Sequence, residues 1–242
     1  MARLIFVDTE TTGTEPGKDA ICQVCYREGN QVFASYFLPK VPIPVKAMSI
    51  HHITNEIVAD KPRFAGSEFE RDLSQRLADG IMVAHNAPFD RAMLAAEGVQ
   101  AKRYICTYRV AYALDTDDTT PEYNLQYLRY FLKLPVEGRA HDAEGDVNVL
   151  HALFQHLLEK LMRLRNCSED AAIAEMETIT TQPLLIRKFN FGKYRGRKIA
   201  EIAETDRGYL QWLLGQKLDS GENDENWIFT LRHYLGLASS RE

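Results

Sequence analysis

The sequence predicts a mixed α/β sheet with helices on both faces, and three observations support this fold class. First, the apolar, β-prone run 4–7 ends in the carboxylates Asp8 and Glu10. Second, two more β-prone segments flank the short turn 28–30, which is typical of an antiparallel hairpin. Third, short apolar runs alternate with helical apolar spacing as far as residue 165, the pattern of strands joined by helices.

Each predicted element follows from the spacing of its apolar residues and from the residues that end it. Helices are assigned where apolar side chains recur every three to four positions, as in Leu125, Leu128 and Leu132. Asn86 is a candidate N-cap, and Pro88 suits the first turn of the helix that follows it. The predicted strands are 4–8, 20–27, 31–38, 81–84 and 105–106, and the predicted helices are 47–54, 64–78, 87–96, one from 107, 124–132, 142–165 and 168–176.

The length of 242 residues allows one large domain and one small module. We expect a first domain over 1–165, a linker with a short helix over 166–183, and a small C-terminal α+β unit over 184–242. The last unit is too short for a deep core of its own, so we expect it to lean on the first domain or on a partner.

Composition is ordinary for a globular protein, with 45% hydrophobic and 26% charged residues. The net charge of −5 argues against a protein that coats nucleic acid by bulk electrostatics, although a local basic patch remains compatible with it. No run approaches the ~18–20 apolar residues that span a membrane. Because Asp8 interrupts the first apolar run, that run does not resemble a signal peptide, and we expect a cytoplasmic protein with no membrane partner.

Asp8 and Glu10 are candidate metal ligands. Side chains alternate along a strand, so these two carboxylates point the same way. Two like charges side by side repel each other unless a cation lies between them, and hard oxygen ligands suit Mg²⁺ or Mn²⁺. Taken alone, an Asp-x-Glu pair fits an acidic, solvated turn better than a metal site.

Two more carboxylates are expected at the same edge of the sheet. Asp90 lies in the first turn of a helix after a buried strand, and Asp146 lies near the start of the long helix. Strand ends and the helix starts that follow them converge on one edge of an open α/β sheet. Four carboxylates in one pocket call for two divalent cations ~4 Å apart, the arrangement that catalyses phosphodiester hydrolysis.

His141 is a candidate general base. An offset of five residues on a helix is a rotation of about 500°, which leaves His141 about 140° away from Asp146 around the axis. We therefore expect His141 on a loop before the helix, from which it reaches the attacking water. A surface histidine is the alternative. Asp142 shares a helical face with Asp146 and is an alternative ligand, although an N-cap role fits it better.

Three segments in order, 7–13 (VDTETTG), 85–90 (HNAPFD) and 141–146 (HDAEGD), resemble the motifs of the DEDDh, or DnaQ-like, 3′→5′ exonucleases. Segment 47–54 (AMSIHHIT) resembles a further part of that family. The resemblance implies an RNase H-like fold, two Mg²⁺ or Mn²⁺ ions, and hydrolysis from a 3′ end that releases 5′-mononucleotides. By the same resemblance, the ligands are Asp8, Glu10, Asp90 and Asp146, His141 is the base, and a homodimer is a possibility.

Further residues are candidates for contact with nucleic acid. The backbone at Thr11, Thr12 and Gly13 is expected to approach the terminal nucleotide. Phe89 is expected either to stack on a base or to belong to the core. His85 and Asn86 are expected either to contact the nucleic acid or to order their own loop.

The C-terminal unit opens with a basic segment, 187–198, in which aromatic residues alternate with cations. This pattern suits a hairpin that offers cations to phosphates and rings to bases, and a solvated hairpin with a buried aromatic face fits equally well. The cations of interest are Lys188, Lys193, Arg195, Arg197 and Lys198. Segments 191–196 and 206–213 resemble the C-terminal part of bacterial exodeoxyribonucleases, which implies DNA, single-stranded or as a frayed duplex, and a role in repair. Segment 182–186 (QPLLI) weakly resembles sliding-clamp-binding peptides, and a linker fits it better.

The sequence thus favours a metal-dependent 3′→5′ exonuclease acting on 3′ ends of DNA, preferably single-stranded. The carboxylates do not discriminate the sugar, so trimming of RNA 3′ ends is an alternative. A non-catalytic subunit of a polymerase assembly is a second alternative, and the filled metal positions argue against it.

Overall fold

The computed structural model describes residues 2–136, 143–219 and 224–237, and the chain divides into two compact units, Met1–Thr180 and Thr181–Glu242. The segment 166–183, for which the sequence predicts a linker with a short helix over 168–176, contains the longer helix α8 (Glu169–Thr181). Ala172, Ile173 and Met176 of this helix are buried in the core of the first unit. The first unit therefore continues beyond the end of the long helix.

The first unit is built on a five-stranded mixed sheet, which confirms the predicted fold class. Strand order is β3-β2-β1-β4-β5. The first three strands form an antiparallel meander, and β1, β4 and β5 are parallel. The strands are β1 (Leu4–Thr11), β2 (Ile21–Glu28), β3 (Gln31–Tyr36), β4 (Ile81–Ala84) and β5 (Arg103–Cys106).

Helices cover both faces of this sheet. The helices of the first unit are α1 (Val45–His51), α2 (Asn55–Val58), α3 (Glu68–Asp79), α4 (Ala87–Ala96), α5 (Thr107–Leu114), α6 (Leu125–Phe131), α7 (Ala143–Arg165) and α8. Helix α3 begins later than predicted because Ser67 caps it, its hydroxyl accepting a hydrogen bond from the Glu70 amide at 3.0 Å. None of the helices in the described ranges is long and apolar enough to cross a bilayer.

The alternation of side chains along β1 produces two cores. Phe6 faces α7, and its ring meets the Phe154 ring edge-on at 5.3 Å in a core shared with α5, α6 and α8. Ile5 and Val7 face the other way, into a core shared with α3 and α4. Because Asp8 and Glu10 continue the Phe6 face, they emerge beneath the start of α7.

The second unit consists, over its described residues, of helices α9 (Ile199–Thr205), α10 (Arg207–Asp219) and α11 (Glu225–Tyr234) around an aromatic core. The predicted hairpin is represented by one antiparallel bridge between Lys188 and Lys198. Phe189 is buried at the centre, with its ring stacked on that of Trp227 at 5.4 Å.

Candidate active site

The end of β1 carries a local irregularity that shapes the site. Glu10 lies opposite Gln23, but Thr11 lies opposite Ile21, so one residue of β2 bulges out of the ladder. Bulges bend a strand and re-aim its side chains, and they recur beside active sites. Here the bulge lies in β2, opposite the step from Glu10 to Thr11 in β1.

Three of the predicted carboxylates meet in one cluster. One oxygen each from Asp8, Glu10 and Asp146 lies within 4.8 Å of the other two. Asp146 reaches the cluster from the first turn of α7 and is only 8% exposed. The long helix thus places a carboxylate over the strand end, as the sequence predicts.

Asp90 reaches the same strand end from the first turn of α4, and its side chain is 4% exposed. Its Oδ1 accepts hydrogen bonds from the backbone amide of Thr9 at 3.2 Å and from the Thr9 hydroxyl at 2.7 Å. Two donors from one residue fix the carboxylate against the segment between Asp8 and Glu10. All four predicted ligands therefore converge on β1.

The electrostatics of the cluster favour a cation. Burial raises the pKa of Asp8 well above its ordinary value, and the charges of its three carboxylate neighbours raise it further. Burial raises the pKa of Glu10 to about 7, with added repulsion from Asp146 and Asp90. Burial likewise raises the pKa of Asp90 to about 7, against the lowering effect of the Thr9 hydrogen bonds. An all-oxygen set of mutually repelling carboxylates fits Mg²⁺ or Mn²⁺, because a divalent ion offsets that repulsion.

Two residues of α6 that the sequence analysis missed support Asp146. The Gln126 side chain donates a hydrogen bond from Nε2 to Oδ1 of Asp146. Arg129, which is 8% exposed, donates to the Gln126 Oε1 at 3.4 Å and to the Val136 carbonyl at 2.8 Å. Because the guanidinium only donates, it orients the amide oxygen towards itself and the NH₂ group towards the carboxylate. No sequence offset links α6 with α7, so only the fold reveals this contact.

His85 is held by the protein on both sides of its ring. Its Nδ1 lies 2.9 Å from the Thr107 hydroxyl, and its Nε2 lies 2.7 Å from the Tyr123 carbonyl. Burial lowers the pKa of His85 to about 4, so the ring is neutral near pH 7. Of the two roles considered for this residue, these contacts support the ordering of the loop.

Two other residues of segment 85–90, Asn86 and Phe89, have different structural roles. Asn86 occupies the N-cap position of α4, but its backbone is left-handed, with φ 67°, and its side chain makes no capping hydrogen bond. The predicted side-chain cap is therefore wrong, because a capping side chain needs the extended backbone that most N-caps adopt. Phe89 is partly buried and packs on the core shared with α3 and α4.

The turn after β1 is fixed by short hydrogen bonds. Thr11 and Thr12 are buried, and the Thr11 hydroxyl donates to the Gly13 carbonyl at 2.7 Å. The Thr12 hydroxyl bonds Asp19 at 3.2 Å. A Cβ atom on Gly13 would lie 2.5 Å from the Asp19 carboxylate, so the close approach of that side chain requires glycine.

His141 and Asp142 lie outside the described residues. The structure thus describes the four acidic positions of the predicted site and leaves the proposed base as a prediction from the sequence.

The basic segment of the second unit turns its rings inward, and five of its cations are exposed. Phe191 and Tyr194 pack against the core around Phe189, which matches the alternative of a buried aromatic face. Lys193 pairs with Asp206 at 3.0 Å, beside the rings of Tyr194 and Tyr209. All five cations of interest are exposed: Lys188, Lys193, Arg195, Arg197 and Lys198.

Sequence comparison gives two family matches. Residues 5–154 match a family described as exonuclease, and residues 189–217 match one described as exodeoxyribonuclease X-like C-terminal. Exodeoxyribonuclease 10 of Escherichia coli K12 is 34% identical over 242 residues, covering 96% of this chain and 98% of that protein. DNA polymerase III subunit epsilon of Treponema pallidum is 33% identical over 162 residues, covering 62% and 74%.

Structural comparison agrees with these matches. Exonuclease X in complex with 5′ overhanging duplex DNA superposes with a TM-score of 0.57 and 27% identity, covering 73% of this chain and 99% of that chain. Exonuclease I of E. coli in complex with a dT13 oligonucleotide superposes with a TM-score of 0.56, covering 69% and 43%. Its identity of 20% supports a shared fold alone.

Proposed function

This chain belongs to the exonuclease family, and on that premise we propose that it removes 5′-mononucleotides from the 3′ ends of DNA. The resemblance to DnaQ-like exonucleases stated from three motifs is thereby confirmed, and the chain is an exonuclease. The polarity, the DNA substrate and the residue roles below are the proposal. The observation that carries it is the convergence of four carboxylates from β1, α4 and α7 at one strand end.

Asp8, Glu10, Asp90 and Asp146 hold two divalent ions, Mg²⁺ or Mn²⁺, in this proposal. Bound ions of this kind lower the pKa of an attacking water and stabilise charge on the leaving 3′ oxygen. The donor set supports this role because it consists of carboxylates alone. Burial raises the pKa of Asp8, Glu10 and Asp90, and the charges of neighbouring carboxylates raise the pKa of Asp8 and Glu10 further.

In this scheme, side chains of the protein position the metal ligands and remove a proton from the attacking water. Thr9 keeps Asp90 against the strand through two hydrogen bonds, and Gln126 orients Asp146. His141, whose role rests on the sequence motif, accepts a proton from the water that attacks phosphorus. The bond between phosphorus and the 3′ oxygen of the penultimate nucleotide breaks, and that oxygen takes up a proton.

We propose DNA as the substrate because two relatives that match most of this chain are named for DNA or hold it. The E. coli relative that matches 96% of this chain is named an exodeoxyribonuclease, and the 27% identical structure holds duplex DNA with a 5′ overhang. A 3′-recessed or single-stranded end is thus the substrate to test first, with RNA of the same sequence as the competing arm.

The decisive experiment is cleavage of 5′-labelled DNA and RNA strands of one sequence by the full chain. We expect a ladder shortening from the 3′ end with Mg²⁺ or Mn²⁺, none with EDTA, and loss of cleavage in Asp8→Asn. Asp79→Asn, at the exposed C-terminal end of α3, is the matched control and retains activity. Equal or faster RNA turnover, or activity in EDTA, would overturn the proposal.

The basic face of the second unit supports a role in holding longer DNA. Arg195 and Lys198 are exposed and pair with no carboxylate among the described residues. Replacing both with glutamine should weaken the binding of long single strands. It should also reduce the slope of log K against log salt concentration by about 0.7 for each lost phosphate contact. Arg71→Gln with Lys102→Gln, both exposed on the first unit, is the control pair. An unchanged salt slope would contradict a role of the second unit in binding DNA.

A further inference from the structure

Helix α6 presents three aromatic side chains on a face that the proposed mechanism does not use. We call Tyr127, Tyr130 and Phe131 the α6 aromatic face. Tyr130 is 69% exposed and Phe131 is 43% exposed. Their positions, three and four residues apart from Tyr127, place all three on one side of the helix.

The rings of the α6 aromatic face are held in fixed orientations. Tyr127 and Phe131 stack on each other, with ring centroids 5.8 Å apart and planes 25° from parallel. The guanidinium of the buried Arg129 lies 5.2 Å from the centre of the Tyr130 ring. Leu128 anchors the opposite side of the helix in the core. The anchored helix thus holds the backbone that carries these rings in place.

This face is continuous with the acidic cluster. It lines an open cleft of about 460 Å³ together with Asn124 and Gln126. Gln126 is the residue whose amide donates to Asp146. Tyr130 follows Gln126 by four residues, so its Cα atom lies about one turn, or ~6 Å along the helix axis, from the Cα atom of Gln126.

We propose that the α6 aromatic face is a stacking subsite for a nucleobase of the DNA strand being degraded. The inference rests on the proposed nuclease function, since the strand must pass the carboxylates. Aromatic side chains bind single strands by stacking, and stacking tolerates every base, as an enzyme that removes successive nucleotides requires. Lys133, exposed two residues after Phe131, lies beyond the end of the helix as a cation for a neighbouring phosphate.

The test measures whether the contribution of one base depends on these rings. The probe is a 5′-fluorescein-labelled 12-mer of thymidines, intact or with one abasic site at each of the last five positions. Affinity is measured by anisotropy in EDTA, so that no hydrolysis intervenes. The full-length wild type, Tyr130→Leu/Phe131→Leu, Tyr130→Phe and the control Tyr36→Leu on the exposed face of β3 are compared.

We expect an abasic site at one particular position to weaken binding by the wild type about 5- to 150-fold, the range for loss of one base stack. The double leucine variant should bind intact DNA more weakly than the wild type by the same factor. An abasic site should then cause no further loss of affinity, because ring and base act through one contact. Tyr130→Phe keeps its ring and should behave as wild type, as should Tyr36→Leu. Similar thermal melts of all variants would show that the fold is intact.

Two outcomes would overturn the subsite. One is a double leucine variant that keeps the full abasic effect of the wild type. The other is a wild-type dimer that becomes monomeric in this variant, which would assign the face to a second copy of the chain. Failure of the proposed function has a different signature, because the wild type with Mg²⁺ would then leave the intact 12-mer uncut.

Discussion

Replacing Glu10 with glutamine is expected to stabilise the metal-free protein at high pH. Burial and the charges of Asp146 and Asp90 raise the pKa of Glu10 from 4.5 to about 7. A carboxyl whose pKa is raised by folding binds more protons in the folded chain. Its stabilising contribution is therefore fully present below the unfolded pKa and is lost as the pH rises through the folded pKa.

The size of the effect follows from those two pKa values. For one independent group, the contribution lost between pH 5.5 and pH 8 is about 2 kcal/mol by proton linkage. For a unit of this size that amounts to about 4–8 °C in melting temperature. Buried histidines such as His85, whose pKa is lowered, titrate with the opposite sign, but they are present in both proteins and cancel in the comparison.

The assay is a thermal melt of wild type and Glu10→Gln in EDTA at both pH values. The variant should gain about 4–8 °C on wild type between pH 5.5 and pH 8. Glu68→Gln, on the exposed surface of α3, is the matched substitution away from the cluster. With Mg²⁺ present the order should reverse at pH 8, because only the wild type keeps the full ligand set. An identical difference at both pH values would refute the electrostatic reasoning.

Three other substitutions test the supports of the site and of the second unit. Gln126→Leu should weaken Mn²⁺ binding and cleavage about 10- to 100-fold, the usual cost of removing a partner of a metal ligand; unchanged Mn²⁺ affinity by calorimetry would refute this. His85→Ala should lower the free energy of unfolding by about 1–3 kcal/mol, because it removes the ring that contacts both the Thr107 hydroxyl and the Tyr123 carbonyl; chemical denaturation measures it, and no loss would contradict the structural role. Phe189→Ala should lower the free energy of unfolding of the second unit by about 3–5 kcal/mol, which calorimetry would detect. Cleavage of short substrates should persist, and its loss would contradict the assignment of catalysis to the first unit.

The sheet and the carboxylates were predictable because both follow from short-range periodicity. Alternation along β1 sends Asp8 and Glu10 to the side of Phe6, and that ring packs under α7. A parallel connection then brings the first turn of α4, with Asp90, to the same edge. Alternation along β1 and the order of the elements were enough to bring these residues together.

Features that depend on contacts between distant elements were not predictable. Gln126 meets Asp146 because α6 and α7 share a core, and no spacing in the sequence encodes that contact. Asn86 is a residue type that often caps the N-terminus of a helix, but its left-handed backbone prevents the side chain from acting as an N-cap. In the basic segment, the alternation of rings and cations did not determine which side chains would face inward. The rings face inward because they pack in the core around Phe189.

The central claim is that side chains distant in sequence form one binding site for two divalent ions. Calorimetric titration of the metal-free full chain with Mn²⁺ at pH 8 tests it most directly. The account predicts two Mn²⁺ ions per chain in the wild type, with binding weakened or lost in Asp8→Asn and in Asp146→Asn. A wild type that binds no Mn²⁺, or variants that bind it as well as the wild type, would contradict it.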